Sequence, residues 1–400
     1  MRTIEKILEL HELALNDVKK YKKHRYIFNQ IIKHTGKSFL GITGLRGVGK
    51  SIILKQIAKQ NSDSLYLSLD TLKDVDLFEI IRKIKNHYRI NTFLLDEVHF
   101  CRDISEILKK IYDLLDVKII FTSSVSLGMY QSAYDLSRRV RLIEIHPFSF
   151  REFLYFQKNI KIPCLTLHEI INEQWSINHL KYGFLFEEYL KGGNMPFYLD
   201  EPDILPLLQN ILNTIILKDI PQIAKLNVEE LDLIEKTVAF IGKSSIDGIN
   251  YSSISRNIGI TKFKARSYIN ILQKAFILCS IMPKGTNVLK EPKILLMPPF
   301  RLLFQKYDDC IGALREEFFI ENIRNSGFSF NYLKSNRGAK IPDYYVSNDE
   351  NSYIIEIGGK GKGREQFKGV NEKKQLILTH SDRIDGIRRP LFLAGFLAEY

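Results

Sequence analysis

A glycine-rich loop with a fixed spacing is the feature of this 400-residue sequence that most clearly suggests chemistry. The segment GITGLRGVGKS places four residues between Gly44 and Gly49, and Lys50 and Ser51 follow at once. An apolar run precedes it and a helical pattern follows, the context in which this spacing binds phosphate. The glycines of this loop, which also include Gly47, let backbone N–H groups close around phosphate oxygens. We therefore predict an ATP site, with Lys50 on the β- and γ-phosphates and the Ser51 hydroxyl on Mg²⁺.

Two adjacent carboxylates follow a later apolar run, FLLDEVH. Asp96 is placed to hold Mg²⁺ through water, and Glu97 to polarise the attacking water as general base. The alternative is an acidic strand end with no role. Because the phosphate loop lies one strand–helix–strand unit upstream, the sequence favours the catalytic interpretation.

Hydroxyl and guanidinium groups near the next two apolar runs are further candidates. The run VKIIFTSS ends in Thr122, Ser123 and Ser124, and either Thr122 or Ser123 is expected to contact the γ-phosphate. The alternative for these hydroxyls is capping of a following helix. Arg138 and Arg139 precede the run VRLIEIHP, and an arginine there is a candidate to stabilise charge on a neighbouring subunit's nucleotide. The alternative is a surface arginine pair.

The elements that must position these groups are apolar strands alternating with helices. Strand candidates are residues 38–44, 64–70, 91–98, 117–124 and 140–147. Continuous apolar strands separated by amphipathic helices indicate an α/β fold with a parallel sheet covered on both faces.

Composition limits the class of protein. Hydrophobic residues make up 45% of the chain, and the four cysteines are far apart, which predicts reduced thiols in a cytoplasmic protein. No apolar stretch approaches the length of about 18 residues that is needed to span a membrane. The net charge of +12 favours a polyanionic partner such as DNA, although Lys and Arg also simply solubilise a surface.

The motifs GITGLRGVGKS, FLLDEVH, FTSS, HPFSFREFL and GGNMP occur in one order along the chain. This order resembles a large group of bacterial and archaeal AAA-type ATPases that carry a C-terminal conserved domain of unknown function. In that resemblance Arg139 takes the family's arginine position. The resemblance implies an AAA-like core, a helical lid, a winged helix and a restriction-endonuclease-like C-terminal domain, and it agrees with a homo-oligomer. The corresponding segments are 1–35 (N-terminal helical), 36–147 (core), 148–227 (lid), 228–300 (winged helix) and 311–400 (C-terminal domain).

Within 228–300 the pattern reads helix, short helix, helix and two strands. Lys262, Lys264 and Arg266 start the second helix of a helix-turn-helix pattern, where side chains meet DNA bases. The alternative is that this module packs or contacts protein.

The C-terminal domain carries an incomplete set of nuclease residues. Asp343 and Glu356 fit the two strand positions that hold Mg²⁺, and Glu317 is the candidate helix acid. Gly358 stands where the usual lysine would be, and Lys360 is the nearest substitute. The alternatives are a loop that grips a phosphate backbone and a scaffolding domain without activity.

Three functions follow from these patterns. We expect an ATPase, dependent on Mg²⁺, that acts on DNA. A nucleotide-gated switch with a protein partner and an ATP-dependent nuclease are the alternatives.

Overall fold

The computed structural model describes residues 2–72, 75–126, 136–285, 291–333, 341–359, 364–367 and 374–398. The chain forms two compact units. The first comprises residues 1–145, 211–226 and 274–276, and the second comprises residues 146–210, 227–273 and 277–400.

The strands are, in chain order, β1 (Phe39–Thr43), β2 (Ser64–Ser68), β3 (Thr92–Asp96), β4 (Lys118–Ser123), β5 (Val140–Glu144), β6 (Leu278–Ile281), β7 (Lys293–Leu296), β8 (Ser329–Tyr332), β9 (Tyr344–Ser347), β10 (Ser352–Gly358), β11 (Gln375–Thr379) and β12 (Arg388–Pro390). The α-helices are α1 (Arg2–Asp17), α2 (Phe28–Ile32), α3 (Lys50–Gln60), α4 (Leu77–Tyr88), α5 (Ile104–Leu114), α6 (Phe150–Lys158), α7 (Leu167–Ile171), α8 (Ile177–Lys181), α9 (Phe186–Glu188), α10 (Ile204–Thr214), α11 (Ile220–Ile223), α12 (Val228–Lys243), α13 (Tyr251–Ile258), α14 (Lys262–Lys274) and α15 (Tyr307–Asn325). A π-helical turn, Ile215–Asp219, lies between α10 and α11.

The first unit is built on a five-stranded parallel sheet with the order β2-β3-β4-β1-β5. All five residues of β1 and of β3 are buried, as expected for strands that are covered on both faces. Each strand lies within one of the five predicted segments, so the prediction of an α/β fold with a parallel sheet is confirmed. Since all strands run in one direction, the residues that follow β1, β3 and β4 meet at the carboxyl edge of the sheet.

One hydrophobic cluster joins this sheet to its helices. It includes Ile7 of α1, Ile81 of α4, Leu108 of α5 and the ring of Phe93 on β3. Helix α4 starts at a capping residue, Asp76, whose carboxylate accepts a hydrogen bond from the Glu79 backbone N–H at 3.0 Å. The apolar faces of these helices thus pack on the sheet, and α4 also begins at a capping residue.

The second unit contains a mixed sheet with the order β12-β11-β10-β9-β8 and a separate antiparallel pair, β6 and β7. Its core is rich in aromatic rings, with Phe150 in edge contact with Phe186 and Tyr189, and Phe186 in edge contact with Phe318. Elements α12, α13, α14, β6 and β7 follow one another in the order predicted for 228–300. The assignment of these elements to a winged helix, and the five domain boundaries, stay predictions.

All four cysteines are free thiols. Among the described residues, every helix is too short or too polar to cross a lipid bilayer.

Candidate nucleotide site

The phosphate loop connects β1 to α3 through three glycines with positive φ. Gly44 has a φ of +145°, and a Cβ built there would lie 2.2 Å from the carbonyl oxygen of Ile145. Gly49 has a φ of +93° and directly precedes the first residue of α3. A side chain at Gly44 would collide with the backbone, so the loop's path requires glycine at that position.

Lys50 lies inside the loop it follows. Its side chain is 4% exposed, and its ammonium group donates hydrogen bonds to the carbonyl oxygens of Gly44 and Leu45 at 2.8 and 2.9 Å. Burial lowers the pKa of this ammonium, while the carboxylates of Glu97 and Asp96 oppose that shift. A buried ammonium in a loop at the amino terminus of a helix is suited to phosphate oxygens.

Asp96 ends β3, and both of its carboxylate oxygens accept hydrogen bonds. The Tyr66 hydroxyl on β2 donates to Oδ2 at 2.6 Å, and the Thr122 hydroxyl on β4 donates to Oδ1. Burial first, and then the charge of Asp96, raise the pKa of the Tyr66 phenol, which keeps it a donor. The carboxylate is therefore fixed in orientation by the two strands beside it.

The donor set fits Mg²⁺. Ser51 is the second residue of α3, on the same loop as the buried Lys50, and Asp96 ends the strand that pairs with β4. Hydroxyl and carboxylate oxygens are hard ligands of the kind that Mg²⁺ prefers, and Mg²⁺ usually needs only one or two of them beside water and phosphate.

Glu97 follows β3 in a left-handed conformation with a φ of +54°. Its backbone N–H donates to the Thr122 hydroxyl at 2.9 Å, so Thr122 contacts both members of the acidic pair. Ser123, the other residue expected to contact the γ-phosphate, instead donates to the carbonyl oxygen of Val125 at 2.7 Å. The structure thus brings Thr122, Asp96 and Glu97 together and turns Ser123 toward its own loop.

Four groups at this site were missed by the sequence analysis. They are Arg46 inside the phosphate loop, His99, Ser124 and Asp219. Asp219 accepts two hydrogen bonds from the Arg46 guanidinium, at 3.1 and 2.9 Å, and one from the Ser124 hydroxyl at 3.1 Å. His99 Nε2 lies 3.5 Å from Asp219 Oδ1. A charged residue within the loop was visible in the sequence, but Asp219 lies 173 positions after Arg46 with no spacing that connects the two.

Arg139 lies away from these residues. Its backbone carbonyl accepts a hydrogen bond from the N–H of Phe39, the first residue of β1, whereas the phosphate loop follows the last residue of β1. The guanidinium forms a two-point ion pair with Asp113, at 3.0 and 3.1 Å. Arg139 is therefore at the amino edge of the sheet and does not join the nucleotide site of its own chain.

The three basic residues predicted to contact DNA differ in their surroundings. Lys262 forms an ion pair with Glu291, and Lys264 forms one with Glu230 at 3.3 Å. Arg266 is exposed, and the adjacent Phe263 is 84% exposed. Lys262 and Lys264 thus already have carboxylate partners. The exposed ring of Phe263, which was not among the predicted DNA contacts, lies at the same end of α14.

Glu317 does not join the other residues of the predicted nuclease site. Its carboxylate is buried against the Arg301 guanidinium, at 2.8 and 2.6 Å, and it accepts the backbone N–H of Leu296. The residue that faces Asp343 is its neighbour Glu316, which contacts Lys293 at 2.6 Å. Adjacent residues on a helix point about 100° apart, so Glu316 and Glu317 face different surroundings.

Asp343 and Glu356 do lie near each other. Burial, Glu316 and Glu356 together raise the pKa of Asp343 to about 8, and the backbone N–H of Ile357 donates to its Oδ2 at 2.8 Å. Lys360, the predicted substitute lysine, lies outside the described residues. Within the part of the chain that the structure describes, no group of three or more His, Cys, Asp or Glu side chains is arranged to hold a metal ion.

Comparison with known proteins agrees with the site in the first unit. Residues 36–154 match the family model of an AAA domain, and residues 184–298 match a domain of unknown function. The uncharacterized protein MJ1637 of Methanocaldococcus jannaschii is 29% identical over 95% of this chain and 88% of its own length. An uncharacterized protein of Haemophilus influenzae is 26% identical over 62% of this chain and 63% of its own length.

Solved structures resemble the chain only loosely. The Holliday junction branch migration motor RuvB of Thermotoga maritima has a TM-score of 0.30 and 14% identity, and covers 70% of this chain and 90% of its own. PCH-2 of C. elegans has a TM-score of 0.28 and 17% identity, and covers 50% and 61%. The match to the AAA-domain family model and the phosphate loop fall in the same segment, residues 36–154.

Proposed function

We propose that this protein is an ATPase that depends on Mg²⁺ and acts on DNA as an oligomer. The observation that carries the proposal is the position of Lys50, Asp96 and Glu97 at one edge of a single parallel sheet. Lys50 supplies a buried positive charge inside the phosphate loop, and Asp96 is oriented by two hydroxyl donors. A carboxylate beside the proposed metal ligand can orient the attacking water and accept its proton.

Lys50, Glu97 and Thr122 have distinct roles in this proposal. Lys50 exchanges its bonds to the loop carbonyls for β- and γ-phosphate oxygens and neutralises the charge that develops there. Glu97 orients a water in line with the γ-phosphate and accepts its proton. Thr122 keeps the two carboxylates in register, because it contacts the side chain of one and the backbone N–H of the other.

Ser51 and Asp96 are the residues that would hold Mg²⁺. When bound, the ion neutralises phosphate charge and helps to orient the nucleotide.

Arg139 is proposed to act on a neighbouring subunit. It lies at the edge of the sheet opposite its own phosphate loop, so it cannot stabilise charge on its own nucleotide. To reach a partner's γ-phosphate it would leave Asp113, which is partly exposed. Hydrolysis would then depend on assembly.

The main support for a DNA partner is the charge of the chain. A net charge of +12 favours a polyanion, and Arg266 is an exposed cation on α14. A protein partner is the second candidate, since Lys262 and Lys264 already have carboxylate partners and the ring of Phe263 between them is 84% exposed. Exposed aromatic side chains are typical of protein contact surfaces.

Phosphate release with and without DNA tests the proposal. We expect single-stranded, duplex or branched DNA to raise the ATPase rate, because bound DNA would favour the assembled, active form of the proposed ATPase. The stimulation should fall steeply between about 50 and about 200 mM salt as phosphate contacts are screened. Arg266→Gln should weaken the stimulation by DNA. The same exchange at Arg82, on the surface of the first unit, should leave the stimulation unchanged.

Other outcomes would separate the alternatives. A slow rate that no DNA changes, with tightly retained nucleotide, would contradict the DNA partner and favour a switch with a protein partner. Cleavage of DNA in Mg²⁺ or Mn²⁺ that is lost in Asp343→Asn would support the nuclease alternative.

A further inference from the structure

Asp219 is a buried carboxylate that the roles above do not use. Its side chain is fully buried at the end of the π-helical turn Ile215–Asp219. Burial alone would raise the pKa of Asp219, but hydrogen bonds with His99 and Arg46 outweigh it, and the pKa lies below its ordinary value. A buried ionised group at this site therefore depends on specific partners.

The partners of Asp219 are also the groups that surround Glu97. Arg46 Nη1 lies 3.9 Å from Glu97 Oε1, and His99 Nδ1 lies 3.3 Å from Glu97 Oε2. The same guanidinium binds Asp219 at two points, and the other nitrogen of the same imidazole faces Asp219. Two short connections thus run from one carboxylate to the other, one on each side of the Glu97 carboxylate.

Ser124 adds a third connection, to the sheet. Its hydroxyl donates to Asp219 at 3.1 Å and lies 3.3 Å from His99 Nε2, and Ser124 directly follows β4. The imidazole thus lies between the Ser124 and Asp219 oxygens at Nε2 and the Glu97 carboxylate near Nδ1. The guanidinium is held by a two-point pair with Asp219, which limits its rotation.

We propose that Asp219 is a positioning residue for Glu97, holding Arg46 and His99 in the arrangement that aims the Glu97 carboxylate at the attacking water. The inference rests on the proposed ATPase function. Among the residues that the structure describes, Asp219 bonds to the Arg46 side chain of the phosphate loop but to neither the loop backbone nor Lys50. It should therefore act on turnover and leave nucleotide affinity nearly unchanged. The turn Ile215–Asp219 would then be part of the catalytic unit, although it lies far from the motifs in sequence.

Asp219→Asn tests this with little change of shape. An amide oxygen can accept one Arg46 bond, but the amide N–H₂ then opposes the other guanidinium donor. We expect kcat to fall about 10- to 100-fold, as for a base that is misplaced by about 1 Å. The Kd for ATP should stay within about threefold, because Lys50 and the loop are intact. Asp17→Asn is the matched control, since it removes an aspartate paired with Lys55 at 2.8 Å in the same unit, and its kcat should be unchanged.

A second readout separates positioning from general damage. In the Glu97→Gln background the exchange of Asp219 should cause no further loss of single-turnover rate, whereas structural damage would lower it again. If Asp219→Asn does not fold, His99→Gln decides: a lower kcat at constant Kd supports the inference, and an unchanged kcat contradicts it. If the wild type hydrolyses ATP and Asp219→Asn has the same kcat, this inference is overturned but the proposed ATPase function is not. Absence of hydrolysis in the wild type overturns the ATPase function as well.

Discussion

Glu97→Gln is expected to lower kcat for ATP hydrolysis by about 10²- to 10⁴-fold, the contribution typical of a general base. The amide keeps the size of the side chain but cannot accept the proton of the attacking water. ATP affinity should be unchanged, because Lys50, Ser51 and Asp96 are intact. Phosphate release under saturating ATP measures kcat, and equilibrium titration with a fluorescent ATP analogue measures the Kd.

The matched control for this exchange is Glu9→Gln, an exposed glutamate on α1. Its kcat should equal that of the wild type. A Glu97→Gln variant that turns over at the wild-type rate would remove Glu97 from the mechanism and, with it, the reason to regard Asp219 as its positioning residue.

Arg301→Met is expected to lower the free energy of unfolding by about 3–5 kcal/mol, the range found when one partner of a buried ion pair is removed. Arg301 and Glu317 are both fully buried, and the guanidinium also donates to the carbonyl oxygens of Ile241, Gly242 and Ser244. Without the arginine, the buried Glu317 carboxylate loses its cationic partner, and each of the three carbonyl oxygens loses one donor. Chemical denaturation, followed by fluorescence, measures the change.

Two further variants sharpen this stability test. Arg383→Met breaks an ion pair with Asp385 in which the Arg383 side chain is 62% exposed, and it should cost less than about 1 kcal/mol. The double exchange of Arg301 for Met and Glu317 for Leu should recover part of the loss, because no buried charge is left unpaired. If Arg301→Met is as stable as Arg383→Met, the ion pair is not structural, and Glu317 is again open to a role at the predicted nuclease site.

The first unit could be predicted from sequence because its signals are local. Each strand is a continuous apolar run, and Gly49, Lys50 and Ser51 share one motif, as Asp96 and Glu97 share another. The carboxyl ends of parallel strands meet at one edge, so the topology brings these motifs together without any further information.

The remaining groups could not be predicted because their signals are not local. Asp219 reaches Arg46 and His99 from a turn that has no motif, and only the folded chain places it there. The ion pair of Glu317 with Arg301 could not be read from the sequence either, because α15 is nearly buried all round at that point. Apolar residues on every face remove the periodicity that would have identified the outward side.

Magnesium-dependent phosphate release by the wild type and by Lys50→Ala tests the central claim most directly. We predict that the wild type hydrolyses ATP, that chelation of Mg²⁺ stops it, and that Lys50→Ala reduces release to the background of a blank. Lys55→Ala, on the same helix but paired with Asp17, should remain active. A Lys50→Ala variant as active as the wild type, or a wild type that releases no phosphate in Mg²⁺ with or without DNA, would contradict the account.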